Sequence, residues 1–485
     1  MKSKFLFAGL LFAGVAQMNA QEEQTITETG FGLQNGAFIS TAINPGITHI
    51  GYRAGFANTG KEVQGPNNTF VGNQSGIATT SGSENTFVGG LTGTANISGI
   101  RNTFIGYQSG MSGSNNTFTG YRSGFSNTAS NNTFYGFQSG MNNISASFNT
   151  FIGTEAGFTN QAGVQNVFLG YRAGYSNNSG GNNNVFIGFE AGRSNVSGWG
   201  HTFVGYRAGT STIGGASVIN NTFVGNSAGQ DNTTGRDNIY IGAASGQLAK
   251  TAQRNNCLGI ETGRINNGYD NIFFGHASGY NNTGAQNTLI GSFCGFNNVG
   301  NGNIFLGHMA GYNETGSSKL YIANTNTATP MIYGDFTTGK VGIGGINHSY
   351  ATPDNFPSMA GSVSVANYKL FVKGGILTEE VRVHLESGWA DYVFADDYNL
   401  KPLAEVEKFI TENGHLPNVP SAQRVKEDGI ELGQMANIQQ EKIEELTLYA
   451  IQQEKKIDEQ SKQLEQQQKE IDELKAAVKA IAAKQ

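Results

Sequence analysis

The sequence predicts a mainly β chain whose greater part is a parallel β-solenoid of about 17 coils, followed by a small α+β neck and a C-terminal coiled coil. Three observations carry this prediction. The pentapeptide Asn68-Thr69-Phe70-Val71-Gly72 recurs through residues 47–323, and its glycine returns on average every 17 residues. A period of that size, sustained this long, makes one coil per repeat. The composition has 69 Gly in 485 residues and 11% aromatic residues but only 14% charged residues, so it is neither that of an ordinary enzyme domain nor that of a disordered linker. Collagen is excluded because Gly does not recur at every third position. The last fifty residues carry a heptad pattern.

Residues 1–20 have the build of a secretory signal peptide. Lys2 and Lys4 precede an apolar run from Phe5 to Ala16, and Met18-Asn19-Ala20 ends on a small residue. Cleavage is expected after Ala20, which places the mature protein outside the cell or on its surface. The apolar run is too short to span a bilayer, and no later stretch is long enough to be a transmembrane segment. Residues 21–46 read as an N-terminal cap or linker.

The motif glycine stands at Gly51, Gly72, Gly89 and so on to Gly307, with Ala323 ending the series. Four residues before it stands Asn in every copy from Asn68 to Asn303 except His201, the pattern of an amide ladder stacked from coil to coil. Two residues before it stands Phe, replaced by His49, Tyr240, Cys257, Leu289 and Tyr321. Four residues after it a second Gly follows without exception, from Gly55 to Gly311, preceded by a small residue. Both glycines fit tight corners or close backbone approach. Neighbouring strand residues face opposite ways, so if Phe points inward the Val/Ile column beside it points outward with the Thr column. A continuous outward aliphatic column is a surface that monomers avoid, so the rod is expected to associate.

The repeated Asn-Thr-Phe-Val-Gly followed by a turn resembles the left-handed parallel β-roll head of trimeric autotransporter adhesins, over about 270 residues. The resemblance implies a left-handed roll and a homotrimer. It does not extend to that family's membrane β-barrel anchor, which this chain is expected to lack. As a whole the chain resembles secreted fibre or tail-fibre-like proteins of Bacteroidota.

Residues 324–434 are read as the neck. Met331-Ile332-Tyr333 and Lys340-Val341-Gly342-Ile343 look like short strands, and Tyr368 to Leu385 alternates like a longer one. Ala404 to Asn413 reads as a helix closed by Gly414, before a rigid turn at Pro417 and Pro420. A self-cleaving chaperone domain of the tail-spike type is the alternative for this segment, although Trp389-Ala390-Asp391-Tyr392 and Asn399-Leu400-Lys401 lack its serine. Residues 435–485 form the coiled coil. Position a falls on Ile443, Ala450, Ile457, Leu464, Ile471 and Val478, and position d on Leu446, Gln453, Gln460, Gln467, Leu474 and Ile481. These residues do not separate dimer from trimer. The rod's need for a partner face and the adhesin resemblance favour three chains.

No catalytic, cofactor-binding or metal-binding constellation is expected. The seven His are scattered, and His276 and His308 hold equivalent positions two coils apart. Cys257 and Cys294 read as buried packing groups, and Asp396-Asp397 as a solvated loop. A net charge of −6 gives no electrostatic reason for a nucleic-acid partner. The candidate ligand-contact strip is Tyr171, Arg172, Phe189, Glu190, Tyr206 and Arg207, with Glu155 below it, just past the motif glycine in consecutive coils. Stacked charges there can pair along the rod, and the aromatic residues offer a platform for sugar rings.

The leading functional expectation is a secreted or cell-surface homotrimeric fibre, not an enzyme, acting as an adhesin or structural appendage with a glycan or protein receptor. One alternative is a tail-fibre-like receptor-binding protein with a C-terminal assembly or self-cleaving domain. Another is a flat glycan- or ice-binding face. Val167, Val185, Ile239, Asn256, Ile272 and Ile304 interrupt the Thr column and weaken that last reading.

Overall fold

The computed structural model describes residues 39–40, 46–55, 65–178, 180–215, 217–346, 356–384 and 388–483. The expected signal peptide, its cleavage point and most of the 21–46 cap lie outside the described residues. The chain divides into two compact units between residues 355 and 356.

The first unit is a parallel β-solenoid. Seventeen short strands, from Thr48–Ile50 to Lys319–Ile322, are joined by sixteen parallel pairings, so the solenoid makes sixteen turns. The register places Phe70 on Phe87 and Phe87 on Phe104. In each three-residue strand the middle residue is buried and its two neighbours are not, as in Thr150–Ile152. The pleat therefore sends the Phe column inward, and Phe70 through Phe305 are fully buried. From Phe70 to Phe223 the rings form one stack with centroids 4.6–5.0 Å apart. That spacing equals the distance between hydrogen-bonded strands, so backbone pairing and ring stacking are satisfied by one repeat.

Phe168→Ala in mid-rod is expected to cost ~3–5 kcal/mol per chain through lost burial and the cavity left behind. Each coil contacts mainly its neighbours, so hydrogen exchange should rise around residues 151–186. A uniform rise over the whole chain would contradict this.

The second glycine of each coil is required by the same core. Gly174 has φ +58°, and a Cβ there would stand 2.5 Å from Cε2 of Phe168. The side-chain amides form the other half of the interior. Asn68 donates through Nδ2 to the carbonyls of Gly65 and Gly82 at 2.7 and 2.8 Å, and its Oδ1 accepts from the Asn85 backbone N–H at 3.0 Å. The expected ladder is therefore present, holding loop carbonyls that burial would otherwise leave unpaired.

A second amide ladder runs beside it, which sequence reading did not find. Asn143 donates to Asn127, Asn160 to Asn143, Asn177 to Asn160 and Asn195 to Asn177, at 2.6–2.9 Å. The two ladders are cross-linked, for example by Asn132 Nδ2 to Asn127 Oδ1 at 3.2 Å.

Both columns end on charged residues. Lys319 occupies the first column and its Nζ lies 2.6 Å from Asp335 Oδ2, with both side chains nearly buried. Glu314 occupies the second column and accepts from the Tyr321 hydroxyl at 2.5 Å. After Ile322 the direction of pairing changes. Ile332–Asp335 and Lys340–Ile343 are antiparallel to what precedes them. These two short strands, expected in the neck, thus close the solenoid, and the unit boundary falls later than the expected 323/324.

The second unit holds a small hairpin (Met359–Ala360 with Val363–Ser364), a strand Leu370–Val372, a 3-10 turn Ala390–Phe394, and helices Leu403–Asn413, Ala422–Asp428 and Leu432–Ala482. The helix ending at Asn413 is closed by Gly414 with φ +74°, as expected. The expected strand from Tyr368 to Leu385 is corrected to three residues. Gly374 and Gly375 interrupt it, and Ile376, Leu377, Val381 and Val383 beyond them are exposed. The expected coiled-coil segment is one helix of 51 residues.

Candidate ligand-contact face of the solenoid

Leaving the strand at the motif glycine, each coil runs through three residues to its second glycine. The second of these is left-handed in every described coil, with φ between 52° and 56° from Arg53 to Met309. Gly would adopt this conformation without strain, whereas other residues pay ~1 kcal/mol or more. None of these positions is Gly. In so glycine-rich a chain, these side chains are kept against the preference of the backbone.

The structure brings the six strip residues together. Arg172 Nε stands 2.5 Å from Glu155 Oε2, and Arg207 Nε stands 3.0 Å from Glu190 Oε2. The Glu155 carboxylate raises the Arg172 guanidinium above its ordinary value through this hydrogen bond. Each arginine reaches back one coil, so the alternating charges resolve into two pairs. Tyr171, Phe189 and Tyr206 stack with centroids 5.1 and 5.3 Å apart. The guanidinium carbons of Arg172 and Arg207 lie 5.0 and 5.3 Å from the Tyr171 and Tyr206 centroids.

Stacking decides what these rings can offer. Within the stack their faces meet one another, so a ligand approaching from the side meets ring edges. The continuous sugar platform expected along the strip is therefore not presented by its interior.

The strip is also longer than sequence reading found. Tyr107, Tyr121 and Phe137 occupy the same column and stack at 5.8 and 5.3 Å, with Arg122 Nε bonded to Gln108 Oε1 at 2.8 Å beside them. The signal was available in the alignment, one position past Gly106, Gly120 and Gly136. Only Thr154 separates this triplet from Tyr171.

Cys257 and Cys294 are buried, and burial pushes the Cys294 thiol up to about 12 and that of Cys257 higher still. Neither is a thiolate at neutral pH. Phe293 stands between His276 and His308, 4.8 and 6.2 Å from them. Among the described residues no group of three His, Cys, Asp or Glu is arranged to hold a metal ion. Asp396 and Asp397 are exposed in a turn. In the second unit Tyr392 donates to Glu441 and Tyr398 to Glu445, tying the 3-10 turn and the loop after it to the long helix. Among the described residues no helix is long and apolar enough to cross a membrane. No protein-family model and no curated protein matches the chain.

Proposed function

We propose that the chain is one strand of an extracellular homotrimeric fibre, a repeat rod held together by a C-terminal coiled coil, that acts as an adhesin or surface appendage. The observation that carries this reading is an inversion on the long helix. Its carboxylates Glu441 and Glu444 are buried within the unit, while its heptad residues Ile443, Leu446, Leu464 and Leu474 are 57–67% exposed. Helices draw most of their stability from packing an apolar face. A seam left bare while acids are tucked in is one that a second helix is built to cover. The solenoid carries a matching surface, since Ile105, Leu169, Ile241 and Phe274 form part of an exposed apolar column. Ile376, Leu377 and Val381 add a third bare apolar segment. The signal-peptide pattern at Met1–Ala20 supports an extracellular place for such a rod.

Light scattering tests the assembly. Three chains of 51.5 kDa give about 154 kDa before any cleavage of the leader. Removing residues 440–485 is expected to yield monomers or aggregates, because the helix brings the chains together before slow, non-local strand pairing begins. A monomeric full chain would overturn the reading, and a trimeric deletion variant would remove the helix from it.

A further inference from the structure

The break at Thr154 is the feature of the aromatic column that the fold does not explain. Below it the stack ends on Phe137 and above it the stack begins at Tyr171, both more than a third exposed. One coil lies between them, so the two ring planes stand two strand steps apart, ~10 Å. The side chain between them is the short, exposed Thr154. Here alone in the run from Tyr107 to Tyr206 two ring faces, rather than edges, look at each other across an open step. The ladder's own centroid spacing is 5.1–5.8 Å, so a single ring placed over Thr154 would sit at the ladder's spacing from both neighbours.

The flank of this slot is polar. Arg172 and Glu155 meet there through Nε and Oε2. The Arg172 guanidinium carbon stands 5.0 Å from the Tyr171 centroid and 5.4 Å from that of Tyr175. Arg207 holds the same relation to Tyr206, a ring already stacked on Phe189.

We infer that the Thr154 slot binds one pyranose ring of a surface glycan, held between the faces of Phe137 and Tyr171, with Arg172 and Glu155 meeting its hydroxyls. Aromatic faces are electron-rich, and a pyranose presents weakly positive C–H bonds on both faces, so it fits between two rings. A ring-sized apolar cleft with a few converging polar groups is the usual form of a small-ligand site. This deepens the fibre reading by naming a ligand class. It does not depend on chain number, since Phe137, Thr154, Glu155, Tyr171 and Arg172 all belong to one chain.

The test is saturation-transfer NMR on the full chain with the methyl pyranosides of glucose, galactose and N-acetylglucosamine, and with p-cresol as a flat aromatic probe. Thr154→Phe fills the slot with a ring that neighbouring coils already accept. It should leave fold and oligomer mass unchanged while reducing the pyranoside signal at least tenfold. Tyr171→Ser should do the same, and Tyr107→Ser, at the far end of the stack, should not. The inference is overturned by a signal that survives Thr154→Phe, by the absence of signal from every pyranoside, or by signal from p-cresol alone. Oligomer mass is read separately, so a failed fibre and an unoccupiable slot are told apart.

Discussion

Gly136→Ala should destabilise the solenoid at least as much as deleting a whole core ring, by about 4 kcal/mol or more. The residue sits at φ +135°, and a Cβ there would stand 2.5 Å from the carbonyl oxygen of Gly153 and 2.7 Å from its carbon. That carbonyl cannot retreat, because the coils are clamped by backbone bonds on either side. Gly136 donates to Thr119 at 2.8 Å and Gly153 donates to Tyr135 at 2.7 Å. The strained φ alone costs ~1–3 kcal/mol, and moving the neighbouring backbone breaks ladder bonds besides. Urea unfolding of Gly136→Ala and Phe134→Ala side by side checks this. A loss under ~1 kcal/mol for the glycine variant would mean that the backbones do not pass as closely as described.

This prediction rests on a column that one alignment made visible, as were the inward Phe, the first Asn ladder and the paired glycines. They were legible because every coil repeats the same local problem and answers it with the same residue type. Asn127, Asn143 and Asn160 were equally regular, each three residues past the second glycine, but they lie where coil length begins to vary. An alignment anchored on the strand loses that register. The left-handed positions at Glu155, Arg172, Glu190 and Arg207 carried no signal at all, since Arg and Glu are not residues that mark positive φ. The reversal of pairing at Ile332–Asp335 was hidden for another reason. Parallel and antiparallel strands of four residues look alike in sequence, and only the loss of the repeat hinted at a change.

The strip shows the same division. Which residues stand side by side followed from the period, and the ion pairs and ring contacts follow that list. What the rings expose did not, because the stacking direction depends on side-chain rotamers that no spacing reports.

Acid should unfold the solenoid through two histidines, and one substitution should remove half of the effect. His201 stands in the first Asn column and His49 in the Phe column. Burial lowers His201 to about 3 and His49 to about 4, from an ordinary value of 6.5. Both are neutral when folded. His201 Nδ1 accepts from the Asn221 backbone N–H at 3.2 Å, the role that an Asn oxygen plays in other coils, and His49 stacks on Phe70. A base whose value is lower in the folded chain takes up its proton on unfolding, so its contribution is intact above pH 6.5 and is lost as pH falls towards 4 and 3. At ~1.4 kcal/mol per unit, each histidine removes about 2 kcal/mol at pH 5, and the pair removes roughly 6 kcal/mol per chain at pH 4. His201→Asn puts back the ladder residue, which can accept from Asn221 and also donate to a carbonyl of the next coil. Its stability at pH 7 should equal or exceed that of the natural chain, and its decline between pH 6.5 and pH 4 should be about half as steep. Urea midpoints across that range measure the slope, and equal slopes for the two proteins would show that His201 is not a buried neutral link in the ladder.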